Sequence, residues 1–216
     1  MSLKNEVIKS VEENKIIAIL RGISKDKILD TAEALYNGGI RLLEVTFSAD
    51  KKVSDEETAE IIKILVEKFE GRMYIGAGTV LTAEQVKLTK NAGGSFIISP
   101  NVDKKVIKTT VKLGLVSIPG ALTPTEICDA NKMGADFVKL FPVAGLGSDY
   151  IKAVKAPLKH IKMLAVGGVT PDNMQDFFKA GVCGFGIGSN ITDMKCIEAG
   201  DWEAVTQKAR AFVEAL

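Results

Sequence analysis

The sequence predicts a closed (β/α)8 barrel. Two observations carry this: eight short apolar, β-branched runs alternate with eight segments of helical spacing, and no linker or low-complexity stretch interrupts the 216 residues. The apolar runs are continuous rather than alternating, the pattern of parallel strands covered on both faces. An open doubly wound sheet is the main competitor, but eight repeats over this length favour the barrel, as one domain spanning 1–216.

The segment before Lys15 mixes charges with Val7, Ile8 and Val11 and is expected to form an extra N-terminal helix over the barrel's bottom. Strands are then expected at 16–20, 42–47, 73–75, 95–99, 116–119, 137–141, 161–166 and 184–187. The helices between and after them are expected at 27–36, 55–69, 83–92, 104–113, 125–133, 149–154, 171–180 and 202–216. Cap-like residues open several helices: Ser24, Thr82, Thr123 before Pro124 and Thr170 before Pro171, with proline suited to a first helical turn. Others close on Gly38-Gly39, Gly93-Gly94, Gly114, Gly134 and Gly181.

Twenty-eight basic and 27 acidic residues leave a net charge of +1, so no global field recruits nucleic acid or an anionic membrane, and any anionic ligand needs a local site. The amino-terminal segment lacks the apolar core of a secretory signal, and no apolar stretch approaches the roughly 18 to 20 residues that span a bilayer. A soluble, cytoplasmic protein is expected. Cys128, Cys183 and Cys196 are odd in number, widely spaced and without a CxxC pair, as suits reduced thiols. With His160 the sole histidine, no essential transition-metal site is expected.

In such a barrel chemistry sits at the carboxyl ends of the strands, so charges there are informative: Arg21, Glu44 and Lys139. Lys139 stands in Phe137-Val138-Lys139-Leu140-Phe141-Pro142, where an ammonium is costly unless paired or deprotonated. A neutral amine is what attack on a ketone requires, so Lys139 is the candidate Schiff-base nucleophile. Its alternative is a lysine that snorkels or pairs structurally with Glu44. Glu44 suits proton relay, or else a buried counter-ion. Arg21 offers a planar fork to a carboxylate, or else pairs at the surface with the following helix.

The seventh and eighth strands end in Val166-Gly167-Gly168-Val169 and Gly186-Ile187-Gly188-Ser189-Asn190. Loops without Cβ atoms let backbone N–H groups approach an anion, and a short helix starting near Ser189 would add its positive end. Tight turns are the alternative. Gly76-Ala77-Gly78-Thr79 is read as small residues making room in a crowded interior, with Thr79 as the ligand contact. His160 is expected at the barrel's bottom and Trp202 in helix packing.

Together the segments Ile17-Ala18-Ile19-Leu20-Arg21-Gly22, Leu43-Glu44-Val45-Thr46, Gly76-Ala77-Gly78-Thr79-Val80, Ile98-Ser99-Pro100, Pro119-Gly120, Val138-Lys139-Leu140-Phe141-Pro142 and Gly167-Gly168-Val169 span nearly the whole chain. They resemble the pyruvate-dependent class I aldolases acting on 2-keto-3-deoxy-6-phosphogluconate, its galactonate epimer or 4-hydroxy-2-oxoglutarate. The resemblance implies a homotrimer without cofactor, with Lys139 forming the imine and Glu44 the acid/base. It further implies a pyruvate pocket lined by Thr79, Pro100 and Phe141, and a phosphate held by Gly167, Gly168, Gly188 and Ser189.

Two positions depart from the gluconate-type pattern. Ser48 stands where those enzymes often carry a carboxylate-binding arginine, a role then left to Arg21, and Val166 replaces their threonine before Gly-Gly. In carrying Leu-Arg-Gly after the first strand, and at Val166, the chain resembles the galactonate-type members. Two rivals remain at the level of sequence: a phosphate-binding barrel epimerase or decarboxylase without covalent catalysis, and a non-catalytic sugar-phosphate binding protein.

Overall fold

The computed structural model describes residues 2–216. Strands β1 (Ile16–Leu20), β2 (Leu42–Thr46), β3 (Tyr74–Gly78), β4 (Phe96–Ile98), β5 (Val116–Ile118), β6 (Gly120–Ala121), β7 (Val138–Leu140), β8 (Met163–Val166) and β9 (Gly184–Ile187) form one parallel sheet, ordered β5-β4-β3-β2-β1-β9-β8-β7-β6. The two ends of that order, β5 and β6, are consecutive in the chain and separated by Pro119 alone. They are therefore one stave of an eight-stave barrel. Proline has no N–H for the ladder, and pairing changes partner there: Val116 pairs with Phe96, whereas Gly120 pairs with Lys139.

Helix α1 (Leu3–Asn14) precedes β1, as expected, and α2 (Ile28–Asn37), α3 (Asp55–Lys68), α4 (Ala83–Asn91), α5 (Lys104–Lys112), α6 (Pro124–Met133), α7 (Gly147–Lys155) and α8 (Pro171–Lys179) alternate with the strands. After β9 come α9 (Met194–Ala199) and α10 (Trp202–Glu214). Among the described residues no helix is long and apolar enough to cross a membrane.

Capping chemistry sets most boundaries. Thr82 and Thr123 each accept from the backbone three residues on, while Gln85 and Glu126 reach back to them. Gly134 ends α6 in the left-handed region. Ser24 is a correction: its carbonyl accepts the Lys27 N–H in a turn, and α2 begins after Lys27 with no side-chain cap.

The apolar layers explain the strand pattern. Leu43 and Val45, like Val138 and Leu140, join the cluster between the barrel wall and the helices. A second cluster holds Ile17, Leu42, Phe96, Val116 and Leu164 together with Val7 and Val11 of α1, both fully buried. Helix α1 thus closes the amino-terminal end of the barrel. Salt bridges Lys4–Asp136 at 3.0 Å and Lys162–Glu12 at 2.6 Å flank it, but partly exposed pairs contribute only ~0–1 kcal/mol each. Each buried valine contributes about 1.5–3 kcal/mol, so the apolar seat is what holds the helix.

Candidate active site

Strand alternation aims the two central charges inward. Leu43 and Val45 face the helices, so Glu44 between them faces the barrel interior; the same holds for Lys139 between Val138 and Leu140. Lys139 is 6% exposed and its Nζ lies 4.7 Å from the centroid of the Phe141 ring. Glu44 is 1% exposed, and among the described residues its Oε1 has no hydrogen-bond partner. Burial pushes the Glu44 carboxyl above the ordinary carboxylate range, opposed by the positive charges of Lys139 and Arg21. A buried acceptor without a partner costs about 1–3 kcal/mol, so this carboxyl is poised to take or share a proton.

Arg21 follows β1 and Thr79 follows β3, and Arg21 Nη2 donates to Thr79 Oγ1 at 3.2 Å. Thr79 has φ of 53°, a left-handed conformation that costs a β-branched residue on the order of 1–3 kcal/mol. That strain places its hydroxyl beside the guanidinium. Both residues line a cavity of about 640 Å³ whose wall also includes Lys139, Pro100 and Phe141. The opposite wall is formed by Gly167, Gly168, Gly188 and Ser189. The structure therefore brings every sequence-predicted residue to one cavity except Glu44, which lies behind the lining.

The glycine loops have an uneven supply of donors and acceptors. Gly167 and Gly168 have φ of 93° and 72°, turning the chain sharply after β8. Among the described residues the N–H groups of Gly167, Gly168, Val169, Ser189 and Asn190 have no acceptor. Three carbonyls of the same loops are occupied: Gly168 O accepts from Asn173 Nδ2 at 2.9 Å, and Val169 O from Asn190 Nδ2 at 2.7 Å. Gly188 O accepts from the N–H groups of Ile191 and Thr192. Five free donors beside three tied acceptors are an arrangement that can receive an anion.

The helix expected near Ser189 is not there. Residues 188–192 form a tight turn, with Thr192 Oγ1 donating to Ile19 O at 3.0 Å, and α9 starts only at Met194, capped by the Asp193 side chain. Donors at this rim are accordingly loop amides. Sequence reasoning missed Thr192 and Met194, which line the cavity together with Asn190 of the expected loop. His160 is exposed in the loop between α7 and β8, and Trp202 packs against the helix layer.

The family model for KDPG and KHG aldolase matches residues 7–208. The 2-dehydro-3-deoxy-6-phosphogalactonate aldolase of Escherichia coli (strain K12) is 37% identical over 202 residues, 93% of this chain and 93% of its own. The 2-dehydro-3-deoxy-phosphogluconate aldolase of Haemophilus influenzae is 30% identical over 213 residues, 97% and 96% of the two chains. A Legionella pneumophila KDPG aldolase, with pyruvate captured as a covalent carbinolamine intermediate, superposes with a TM-score of 0.84 at 27% identity, covering 95% of this chain and 97% of its own. Fold, cavity and sequence agree, and the chain belongs to the KDPG and KHG aldolase family.

Proposed function

We propose that this class I aldolase cleaves 2-keto-3-deoxy-6-phosphogluconate or its galactonate epimer to pyruvate and glyceraldehyde 3-phosphate, and 4-hydroxy-2-oxoglutarate to pyruvate and glyoxylate. The observation that carries the reading is a buried inward lysine, Lys139, lining a cavity with a donor-rich rim while the buried carboxyl of Glu44 behind that lining feels its charge. Relatives named for both phosphorylated acids support the substrate class.

In the proposed cycle the Lys139 amine attacks the C2 ketone. Glu44, directly or through a water, supplies and recovers protons as the carbinolamine loses water to an iminium. It then takes the C4 hydroxyl proton; the C3–C4 pair flows into the iminium, an aldehyde leaves and an enamine remains. Protonation at C3 and hydrolysis release pyruvate and restore the amine. A carboxyl raised above its ordinary range by burial suits a group that must both hold and release a proton.

Arg21, steadied by Thr79, receives the substrate carboxylate; Pro100 and Phe141 wall the pyruvate carbons. The amides of Gly167, Gly168 and Ser189, with the Gly188 turn, receive the phosphate. On family likeness the assembly is a homotrimer, and three free thiols suit a reducing compartment, the cytoplasm.

The test is incubation of the enzyme with pyruvate and borohydride, followed by peptide mapping. A reduced adduct on Lys139, absent from Lys139→Ala, is the expected result. No adduct in the native protein, while a control aldolase labels, removes the imine assignment.

A further inference from the structure

Two asparagines outside the assigned chemistry decide which way the glycine loops present their peptide groups. A peptide turned over would offer a carbonyl oxygen to the incoming anion and repel it, so an anion-binding loop needs its acceptors engaged elsewhere. Asn190 lies in the loop after β9, yet its Nδ2 donates at 2.7 Å to Val169 O in the loop after β8. Asn173, at the third position of α8, accepts the Thr170 N–H with Oδ1 at 2.9 Å and donates with Nδ2 to Gly168 O at 2.9 Å.

We infer that Asn190 is a positioning residue for the phosphate-bearing end of the substrate, with Asn173 assisting it from the far side. Asn190 is a strut between the two loops: it ties the Val169 carbonyl outward, holds the loops at a fixed separation, and leaves the adjoining amides aimed into the cavity. Among the described residues no other donor holds the Val169 carbonyl, which accepts no other hydrogen bond outside the helices and strands. This inference rests on the reading that these loops receive the phosphate.

The experiment measures kcat and KM of the native enzyme and of Asn190→Ala with the better of the two phosphorylated epimers and with its unphosphorylated counterpart. Competitive inhibition by inorganic phosphate is measured alongside. Loss of one fixing hydrogen bond is expected to lower the phosphorylated-to-unphosphorylated kcat/KM ratio about tenfold, through KM rather than kcat, and to weaken phosphate inhibition about equally. Asn190→Asp, which keeps the shape but sets an acceptor against Val169 O, should go at least as far. A native enzyme that discriminates while Asn190→Ala keeps its ratio and its phosphate inhibition overturns the strut and leaves the phosphate site standing. A native enzyme that neither prefers the phosphorylated substrate nor responds to phosphate removes both.

Discussion

Glu44 fits only because Gly78 has no side chain: a Cβ on Gly78 would stand 1.7 Å from Glu44 Oε1 and 2.3 Å from its Cδ. The two residues sit on adjacent strands, Glu44 paired with Gly76 and Thr46 with Gly78. The carboxylate position is set as much by an absence on β3 as by its own strand.

Gly78→Ala should therefore displace the carboxyl rather than merely crowd the core. Overpacking of this kind costs about 1–3 kcal/mol, and a misplaced acid/base group costs about 10²-fold or more in kcat. Steady-state kinetics and a thermal melt check both; a variant with native kcat would show that Glu44 does not act from this position.

Glu44 also gives stability a pH dependence. In the unfolded chain its carboxyl titrates in the ordinary range, near ~4.3, while in the folded protein burial raises it. Between those values the native state holds a proton the unfolded chain has released, so stability falls as pH rises through the window, and the penalty is complete above the folded value. Attraction to Lys139 and Arg21 limits it. Glu44→Gln, which stays neutral, should gain in Tm relative to the native protein as pH is raised through that window, then level off. Parallel melts against pH measure this; a flat difference contradicts the assigned shift. The same variant should lose about 10²–10⁴-fold in kcat.

The Arg21–Thr79 contact predicts a split between stability and binding. Thr79→Gly removes the strained left-handed threonine and should leave Tm level or slightly higher, while loosening Arg21. Arg21→Ala should raise KM for every 2-keto acid about 10- to 100-fold, the scale of a charged hydrogen bond of ~1.5–3 kcal/mol. Kinetics with pyruvate-forming substrates of different tails test it, since a carboxylate contact must be lost equally for all.

Val11→Ala, at the opposite end of the barrel, should act on stability alone. The side chain is fully buried against the lower core, and its truncation should cost about 2 kcal/mol, or about 4–8 °C in Tm for a chain of this size. Activity well below the melt should be retained. A comparable loss of kcat at low temperature would mean that α1 communicates with the site.

The strand richest in β-branched residues was legible to the residue: β1, Ile-Ile-Ala-Ile-Leu, lies where its apolar run begins and ends, and β9 does so too on the strength of Phe185 and Ile187 despite its two glycines. The third strand was not. Its expected range stopped at Ile75, whereas β3 continues through Gly76, Ala77 and Gly78, residues of poor strand propensity. Long-range demand settles it: Gly76 is needed by the Phe96 ring, since a Cβ there would lie 2.3 Å away, and Gly78 by Glu44. Such clearances belong to pairs of distant residues and leave no local pattern. Helix α9 did leave one, since Asp193 before it and Gly200 after it are ordinary start and stop residues. The asparagine struts left none, because an asparagine in a loop reads first as turn chemistry.

Helix α1 seals one end of the barrel, and the cavity with its glycine rim occupies the other, so the site has a single door. For the proposed chemistry this dictates traffic. The pyruvate half hangs on Lys139 at the back while the aldehyde half stands in the doorway; the aldehyde has to walk out while its partner is still tethered. Run in reverse, pyruvate has to be seated before any aldehyde arrives, and an aldehyde that enters first blocks its own reaction.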